Sequence, residues 1–319
     1  MTFSDVLVSA SQDGAIARAV EKILAGKLVV VPTETVYGLA ADATSSEAVL
    51  KIYSAKERPS FNPLICHVSS VDMAARFVDM PDIGVNLAEK FWPGPLTLVC
   101  SLKPKSGIAE EVTAGLNTLA VRCPANAKTR QLIAKTNKPI AAPSANLSGK
   151  LSPTRAETVQ ASMGDRVDLI LDDGPTNIGI ESTIVAIDDS GITLLRPGTI
   201  TADDIFNATG ETVKHRNSST ITAPGQLASH YAPDAEVFLE QSRPAEGQIF
   251  IGFGDIECDV NLSRSGDLHE AAKNLFEALR QADKGLPIAV APIPHTGVGI
   301  AINDRLKRAA AARPEASDD

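Results

Sequence analysis

Cations, hydroxyls and amides recur in the first two-thirds of the chain, each time at the edge of an apolar run. PTETVYG (32–38) follows LVVVP and sets three hydroxyl groups and a carboxylate behind a buried strand, with Gly38 placed to turn the chain. That density of hydrogen-bonding groups fits a ligand-contacting loop. KERPSFNPL (56–64) ends a helical pattern with Lys56 and Arg58, and Pro59 and Pro63 stiffen the chain beyond them. Two readings stay open: cations closing a helix C-terminus, worth up to ~1 kcal/mol, or an anion clamp. In the clamp Arg58 binds phosphate oxygens bidentately and Lys56 acts as a point charge. His67 sits within the apolar run LICHV, where a lone imidazole is ordinarily a satisfied core residue. TLAVRCP buries Arg122 near a strand end, which is costly unless the guanidinium is paired with a ligand carboxylate or a structural Asp. APSANLSGKLSPT (142–154) gathers Ser144, Asn146, Ser148, Gly149 and Ser152 into one loop. Such a loop presents N–H groups and hydroxyls to phosphate, or simply turns. ESTIV (181–185) and LLRPG (194–198) each add a polar group at the edge of a strand. No nucleophile–base pair stands out, so the chemistry that fits is positioning of an anionic substrate with electrostatic stabilisation.

The elements that must carry these groups alternate. Ile16, Ala19, Val20, Ile23 and Leu24 recur at helical spacing over 12–26, with Gly26 as C-cap. Residues 45–56 read as a helix capped by Ser45 or Ser46, and 71–90 as two short helices broken by Pro81. Strands are expected over 28–32, 63–68, 96–102, 118–123, 138–145, 169–174, 182–188 and 192–198. This pattern predicts an α/β chain with a twisted mixed-sheet first domain over 1–206. The polar stretch 207–234 reads as a linker. Strand, strand, helix, strand, helix then predicts a smaller Rossmann-like α/β domain over 235–319 with a parallel sheet.

Composition narrows the function classes. The 319 residues hold 30 Lys+Arg against 39 Asp+Glu, a formal charge of −9, which excludes a strongly basic nucleic-acid binder. Aromatics at 4% argue against base-stacking platforms. There is no phosphate-loop GxxxxGK[ST] and no G-x-S-x-G elbow. IGFGDI (251–256) lacks the third glycine of a dinucleotide fingerprint. Cys66, Cys100, Cys123 and Cys258 form no CxxC pair and the five histidines show no metal-ligand spacing, so no protein-held metal is expected. The cysteines read as buried thiols of a reducing compartment. With no signal peptide and no membrane-spanning run, a soluble cytoplasmic protein is expected.

Taken in order, PTETVYGLAAD, KERPSFNPL, FWPGPLT, TLAVRCP, APSANLSGKLSPT, ESTIV and LLRPG resemble the threonylcarbamoyl-AMP synthase family, also called YrdC-like. APGQLASHYAP (223–233) resembles the linker of its long, two-domain members. The resemblance implies a YrdC-like catalytic domain that condenses L-threonine, bicarbonate or CO2, and ATP into threonylcarbamoyl-AMP and pyrophosphate. The product serves modification of the N6 of adenosine 37 in tRNA. It implies ATP as substrate, Mg²⁺ carried on the ATP phosphates, and hand-off to a tRNA threonylcarbamoyl transferase, with tRNA binding weak or indirect. Carried over by position, Thr35, His67, Arg122, Ala142 and Ser182 contact threonine. Arg58, Asn62, Thr118, Ser144, Ser152, Arg196 and Tyr231 contact ATP. Lys56 and Arg58 are the catalytic cations, and the linker is a possible active-site lid.

The sequence departs from the family pattern at Ala186, where an acidic residue is usual, and in GQLASHY, where a more basic GMKYRHY is common. Two alternatives remain beside the synthase: an RNA-binding protein without catalysis, and a carbamoyl-transfer domain.

Overall fold

The computed structural model describes residues 6–215 and 231–311. From the N-terminus run β1 (Leu7–Ser9), α1 (Ala15–Leu24), β2 (Val29–Val31), β3 (Gly38–Asp42), α2 (Ser46–Lys56) and β4 (Ile65–His67). Next come α3 (Val71–Ala74), β5 (Val78–Asp79), α4 (Asp82–Phe91), β6 (Leu96–Leu102), α5 (Glu110–Thr113), β7 (Thr118–Arg122), α6 (Ala127–Thr136) and β8 (Ile140–Ala141). The first part closes with α7 (Ala156–Met163), β9 (Leu169–Asp172), β10 (Thr183–Asp188), β11 (Gly191–Arg196), α8 (Ala202–Thr209) and β12 (Lys214–His215). Beyond the linker come β13 (Val237–Phe238), β14 (Ile249–Gly252), β15 (Val260–Asn261), α9 (Leu268–Ala282), β16 (Ile288–Val290) and α10 (Gly299–Ala309).

The expected helices form where the periodicity places them. In α1 the buried stripe is Ala15, Ile16, Ala19 and Ile23, and Gly26 takes the left-handed turn that ends it at φ +66°. Ser45, not Ser46, caps α2, its side chain accepting from the Ala48 amide. Gly38 opens a strand instead of turning the chain: it pairs with Val31 and bridges Ser144. Helices α5 to α8 form in stretches for which the sequence reading predicts no helix. In α6, two of the four buried positions are Thr129 and Thr136.

The large sheet is mixed, in the order β1-β9-β2-β3-β8-β4-β7-β6-β10-β11-β12, with β5 on β6. β4 runs parallel to β7, whereas β8 lies antiparallel to both β3 and β4. Along β6, Leu96, Leu98 and Cys100 enter the main core while Val99 joins a small cluster with Ile65, Ala120 and Ile184. That period of two lets one strand bury apolar side chains on both faces. Ordered structure continues past residue 206: α8 runs to Thr209, and Lys214–His215 pairs with Thr193 and Leu194. Of the expected linker, 216–230 lies outside the described residues. The second sheet is parallel throughout, in the order β13-β16-β14-β15, and α9 and α10 bury Leu275, Phe276, Leu279, Ile302 and Leu306 against it.

One close approach ties β11 to β10. A Cβ at Gly198 would stand 2.4 Å from the Thr183 amide nitrogen and 2.6 Å from its hydroxyl oxygen. That hydroxyl donates to the Ile200 carbonyl at 2.7 Å and accepts from the Ile200 amide at 3.1 Å. Gly198→Ala should therefore separate the two strands and cost about 2 kcal/mol, read as a lowered denaturant midpoint. An unchanged midpoint would mean that the turn yields freely.

Candidate active site

Seven strands, β2, β3, β4, β7, β8, β10 and β11, bring residues at or next to their ends to one cavity, lined by Thr33, Thr35, Val36, Gly38, Arg58, Ile65, His67, Arg122, Ala142, Pro143, Ser144, Glu181, Arg196 and Tyr231. Register explains much of this. His67 and Arg122 are partners in the β4–β7 pairing, each closing its strand. β8 pairs its Ile140 with His67 and then delivers Ala142, Pro143 and Ser144. After β2, the Thr33 hydroxyl accepts from the amides of Thr35 and Val36 and donates to the Val36 carbonyl at 2.6 Å, fixing the turn.

Arg122 is held from three sides. Its Nε donates to the Gly94 carbonyl at 3.2 Å, Nη1 to the Thr35 hydroxyl at 3.0 Å and Nη2 to Glu34 Oε1 at 2.6 Å. Glu34 is fixed in turn by the Ala125 amide, which donates to Oε2 at 2.8 Å. The sequence left the partner open; it is Glu34. A guanidinium has five N–H donors, so this arrangement leaves one on each terminal nitrogen for a carboxylate in the cavity. His67 beside it is driven neutral: burial first, then the Arg122 charge, push it down to about 3.

Arg58 reaches the cavity because α2 stops abruptly. Glu57 adopts φ +52°, and Arg58 then donates to the carbonyls of Asn62 and Pro63 at 3.2 and 2.9 Å. Burial, with the nearby charge of Arg196 adding to it, lowers Arg58 to about 10. Arg196 is lowered by burial as well, with Arg305 and Arg122 contributing. Its guanidinium donates to the Ser182 carbonyl at 3.1 Å and the Ser182 hydroxyl at 3.2 Å, and that hydroxyl is 2.7 Å from Thr97 Oγ1. Mutually repelling cations on one cavity favour an anionic occupant.

Of the residues singled out from the sequence, Thr35, Arg58, His67, Arg122, Ala142, Ser144, Arg196 and Tyr231 line this cavity. Lys56, Asn62, Ser152 and Ser182 stand one bond behind it. Lys56 donates to the carbonyls of Ser144 and Asn146 at 2.5 and 2.6 Å. Burial, and then Arg58, hold its ammonium well below the ordinary lysine range. The Asn62 carbonyl accepts from Arg58, while its buried amide side chain has no partner among the described residues. Ser152 donates to Glu181 at 2.5 Å. Thr118, half-buried and paired with Ser101 at the far end of β7 from Arg122, stands apart. Sequence reasoning passed over Glu34 and Glu181. Both sit inside motifs it quoted, beside residues it chose.

This fold and site define a cleft lined by three arginines, with Arg122 held by Glu34 and Thr35. The family model described as "Telomere recombination" (Sua5/YciO/YrdC) matches residues 21–198, and that of the threonylcarbamoyl-AMP synthase C-terminal domain matches 200–311. The threonylcarbamoyl-AMP synthase of Pyrococcus abyssi is 40% identical over 90% of this chain and 92% of its own length. That of Bacillus subtilis is 38% identical over 95% of each. A crystal structure of P. abyssi Sua5 complexed with L-threonine superposes with a TM-score of 0.87 at 36% identity, covering 96% of this chain and 97% of the other. The chain belongs to the threonylcarbamoyl-AMP synthase family, in its two-domain form.

His67 also makes a stability prediction. Folded, it stays neutral down to about pH 3, whereas the unfolded imidazole takes up a proton below its ordinary value of 6.5. Its contribution is complete above 6.5 and is lost as pH falls, by roughly 1.4 kcal/mol per unit. Between roughly pH 7 and 5, urea unfolding should show wild type losing about 2 kcal/mol more than His67→Gln. Parallel losses would place the imidazole in solvent.

Proposed function

We propose that this protein is an L-threonylcarbamoyladenylate synthase. It condenses L-threonine, bicarbonate or CO2, and ATP to threonylcarbamoyl-AMP and pyrophosphate, for formation of N6-threonylcarbamoyladenosine in tRNA. The observation that carries this reading is Arg122, a buried guanidinium pre-oriented by Glu34 and Thr35 with donors left for a carboxylate, in a cavity shared with Arg58 and Arg196.

In this reading the threonine carboxylate lies on Arg122, with Thr35, neutral His67 and the Ala142 backbone around the rest of the amino acid. A neutral His67 adds no charge that would hold the amine as an ammonium. The threonine amine, once deprotonated, attacks CO2 and becomes a carbamate. A carbamate oxygen then attacks the α-phosphorus of ATP, and the bond to pyrophosphate breaks. Arg58, Arg196 and Ser144 receive the phosphates and offset charge building up on the α-phosphoryl oxygens. Asn62 offers the nucleotide an amide that the protein leaves unmatched, which is costly unless a ligand completes it. Ser182 acts through Arg196 and Lys56 through the Ser144–Asn146 carbonyls, while Ser152, held by Glu181, contacts the nucleotide. Tyr231 closes the cavity from the linker side.

Among the described residues no group of three His, Cys, Asp or Glu side chains stands close enough to hold a metal. Glu181, a carboxylate on the cavity wall, is committed to Ser152 and Arg305. Magnesium is accordingly part of the Mg·ATP substrate. We place the protein in the cytoplasm, handing its labile product to a tRNA threonylcarbamoyl transferase. Arg122 and Arg196, each 4% exposed, lie too deep to serve an RNA backbone, which favours the synthase over the RNA-binding alternative.

Pyrophosphate release should require threonine and bicarbonate together with ATP; release without threonine would end this reading. Arg122→Ala should raise the threonine KM roughly 30- to 150-fold, the equivalent of about 2–3 kcal/mol for a charge-assisted bond, and move the ATP KM little. Equal loss of both would make Arg122 structural.

A further inference from the structure

The large sheet does not close the cavity alone. Val36 and Tyr231, which line it, belong with Leu151 and Ile180 to the apolar cluster built around α9, α10 and the second sheet. The loop before β10 runs hard against α9. At Gly179, φ +82°, a Cβ would stand 2.3 Å from the Lys273 carbonyl oxygen and 2.4 Å from its Cα. Only glycine fits a left-handed position with another backbone that close.

Two residues later, the chain presents Glu181 to the cavity. One of its oxygens accepts from Ser152 at 2.5 Å, and the other accepts from Arg305 Nε on α10 at 2.8 Å. Arg305 is completely buried. Its Nη1 donates to Asp304 at 2.8 Å, and its guanidinium carbon lies 5.3 Å from the centroid of the Tyr231 ring. Tyr231 holds φ +61° and leans against Phe276 of α9, with ring centroids 5.4 Å apart. Burial opposes a charge on Glu181, but Arg305, Arg196 and Ser152 outweigh it and hold the carboxyl below its ordinary range.

A domain interface needs no such device for cohesion. A buried ion pair contributes little net stability against apolar residues of the same volume, because both charges must be desolvated. What it supplies is direction. Arg305 and Ser152 each hold one oxygen of Glu181, and the Arg305 guanidinium also lies over the Tyr231 ring.

We propose that Arg305, a residue of the C-terminal domain that lies outside the cavity lining, is a positioning residue for the nucleotide half of the cleft. It acts by locking Glu181 and, through it, Ser152, and by its own contact with the Tyr231 ring. This rests on the assignment of Ser152, Arg196 and Tyr231 to ATP. The threonine half is anchored differently, by Glu34, Thr35 and Gly94 on Arg122, so the two substrates should respond differently to loss of Arg305.

The test uses the full chain, with calorimetric binding of α,β-methylene-ATP and of L-threonine alongside steady-state KM values. Arg305→Met should weaken the nucleotide analogue and raise the ATP KM by at least about tenfold, with both threonine values within about twofold of wild type. Glu181→Gln keeps the volume and one acceptor, and should weaken the analogue by about threefold or more even if Arg305→Met folds poorly. Ile288→Val, in the C-terminal core away from the interface, should lower Tm and move neither KM. Analogue binding unchanged in both site variants, or equal weakening of both substrates, would overturn the proposal while the synthase assignment stands. A wild type that binds no nucleotide would remove that assignment and this proposal with it.

Discussion

Three guanidinium groups sharing one small cavity are the constraint around which the rest is arranged. In the interior each interaction between the charges of Arg58, Arg122 and Arg196 is screened far less than in water. Burial and mutual repulsion lower Arg58 and Arg196 together. The fold answers with two acids, each committed twice. Glu34 is shared between Arg122 and the Ala125 amide, and Glu181 between Ser152 and Arg305. Neither carboxylate is left to neutralise the cavity as a whole. Three guanidinium groups against two committed carboxylates leave the cavity with a residual positive field.

Short strands in a mixed sheet suit this purpose. A parallel β4–β7 pair brings His67 and Arg122 out at the same end, and the antiparallel β8 runs back along β4, so that the Ala142 amide donates to the Ile65 carbonyl at the other end of that short strand. A uniformly wound parallel sheet would deliver one loop per helix crossover. Alternating directions send neighbouring strands to opposite edges, and because the strands are short the cavity takes in both ends of β4, Ile65 and His67. The C-terminal domain then supplies the remaining wall, because Val36, Leu151 and Ile180 are covered by its apolar cluster. Without that cover these side chains would face water at the rim of the site.

Much of this was legible because motif and strand end coincide. An arginine after TLAV, or a histidine after LIC, must emerge where an apolar run stops, and the periodicity that locates the run also locates the residue. The helices α5 to α8 were not legible. Threonines fill part of the buried stripe in α6, and a buried threonine whose hydroxyl finds a carbonyl, as Thr129 does with Pro32 at 2.5 Å, leaves no hydrophobic signal. Glu34 and Glu181 could have been found by asking which acid must accompany each buried arginine. Arg305 could not. Its partner is 124 positions away in the chain, and nothing in GIAINDRLKRA separates it from the two basic residues just after it. The three buried cysteines behaved as expected of core thiols, while Cys258 is only half-buried.

Lys56 shapes the wall of the cavity without lining it. The peptide carbonyls of Ser144 and Asn146 would repel a phosphate if they faced it. Lys56 draws both inward, spending two of its three donors on them. Burial and Arg58 weaken its hold on the proton, yet donation to two carbonyls needs only the N–H groups, which a neutral amine also has. The loop geometry is therefore insensitive to the charge on Lys56, and the charge the ligand meets is set by the arginines. That division separates the group that shapes the loop from the groups that compensate the phosphates. It gives α2 two consecutive tasks across the left-handed turn at Glu57: Lys56 inward to the backbone, Arg58 outward to the cavity.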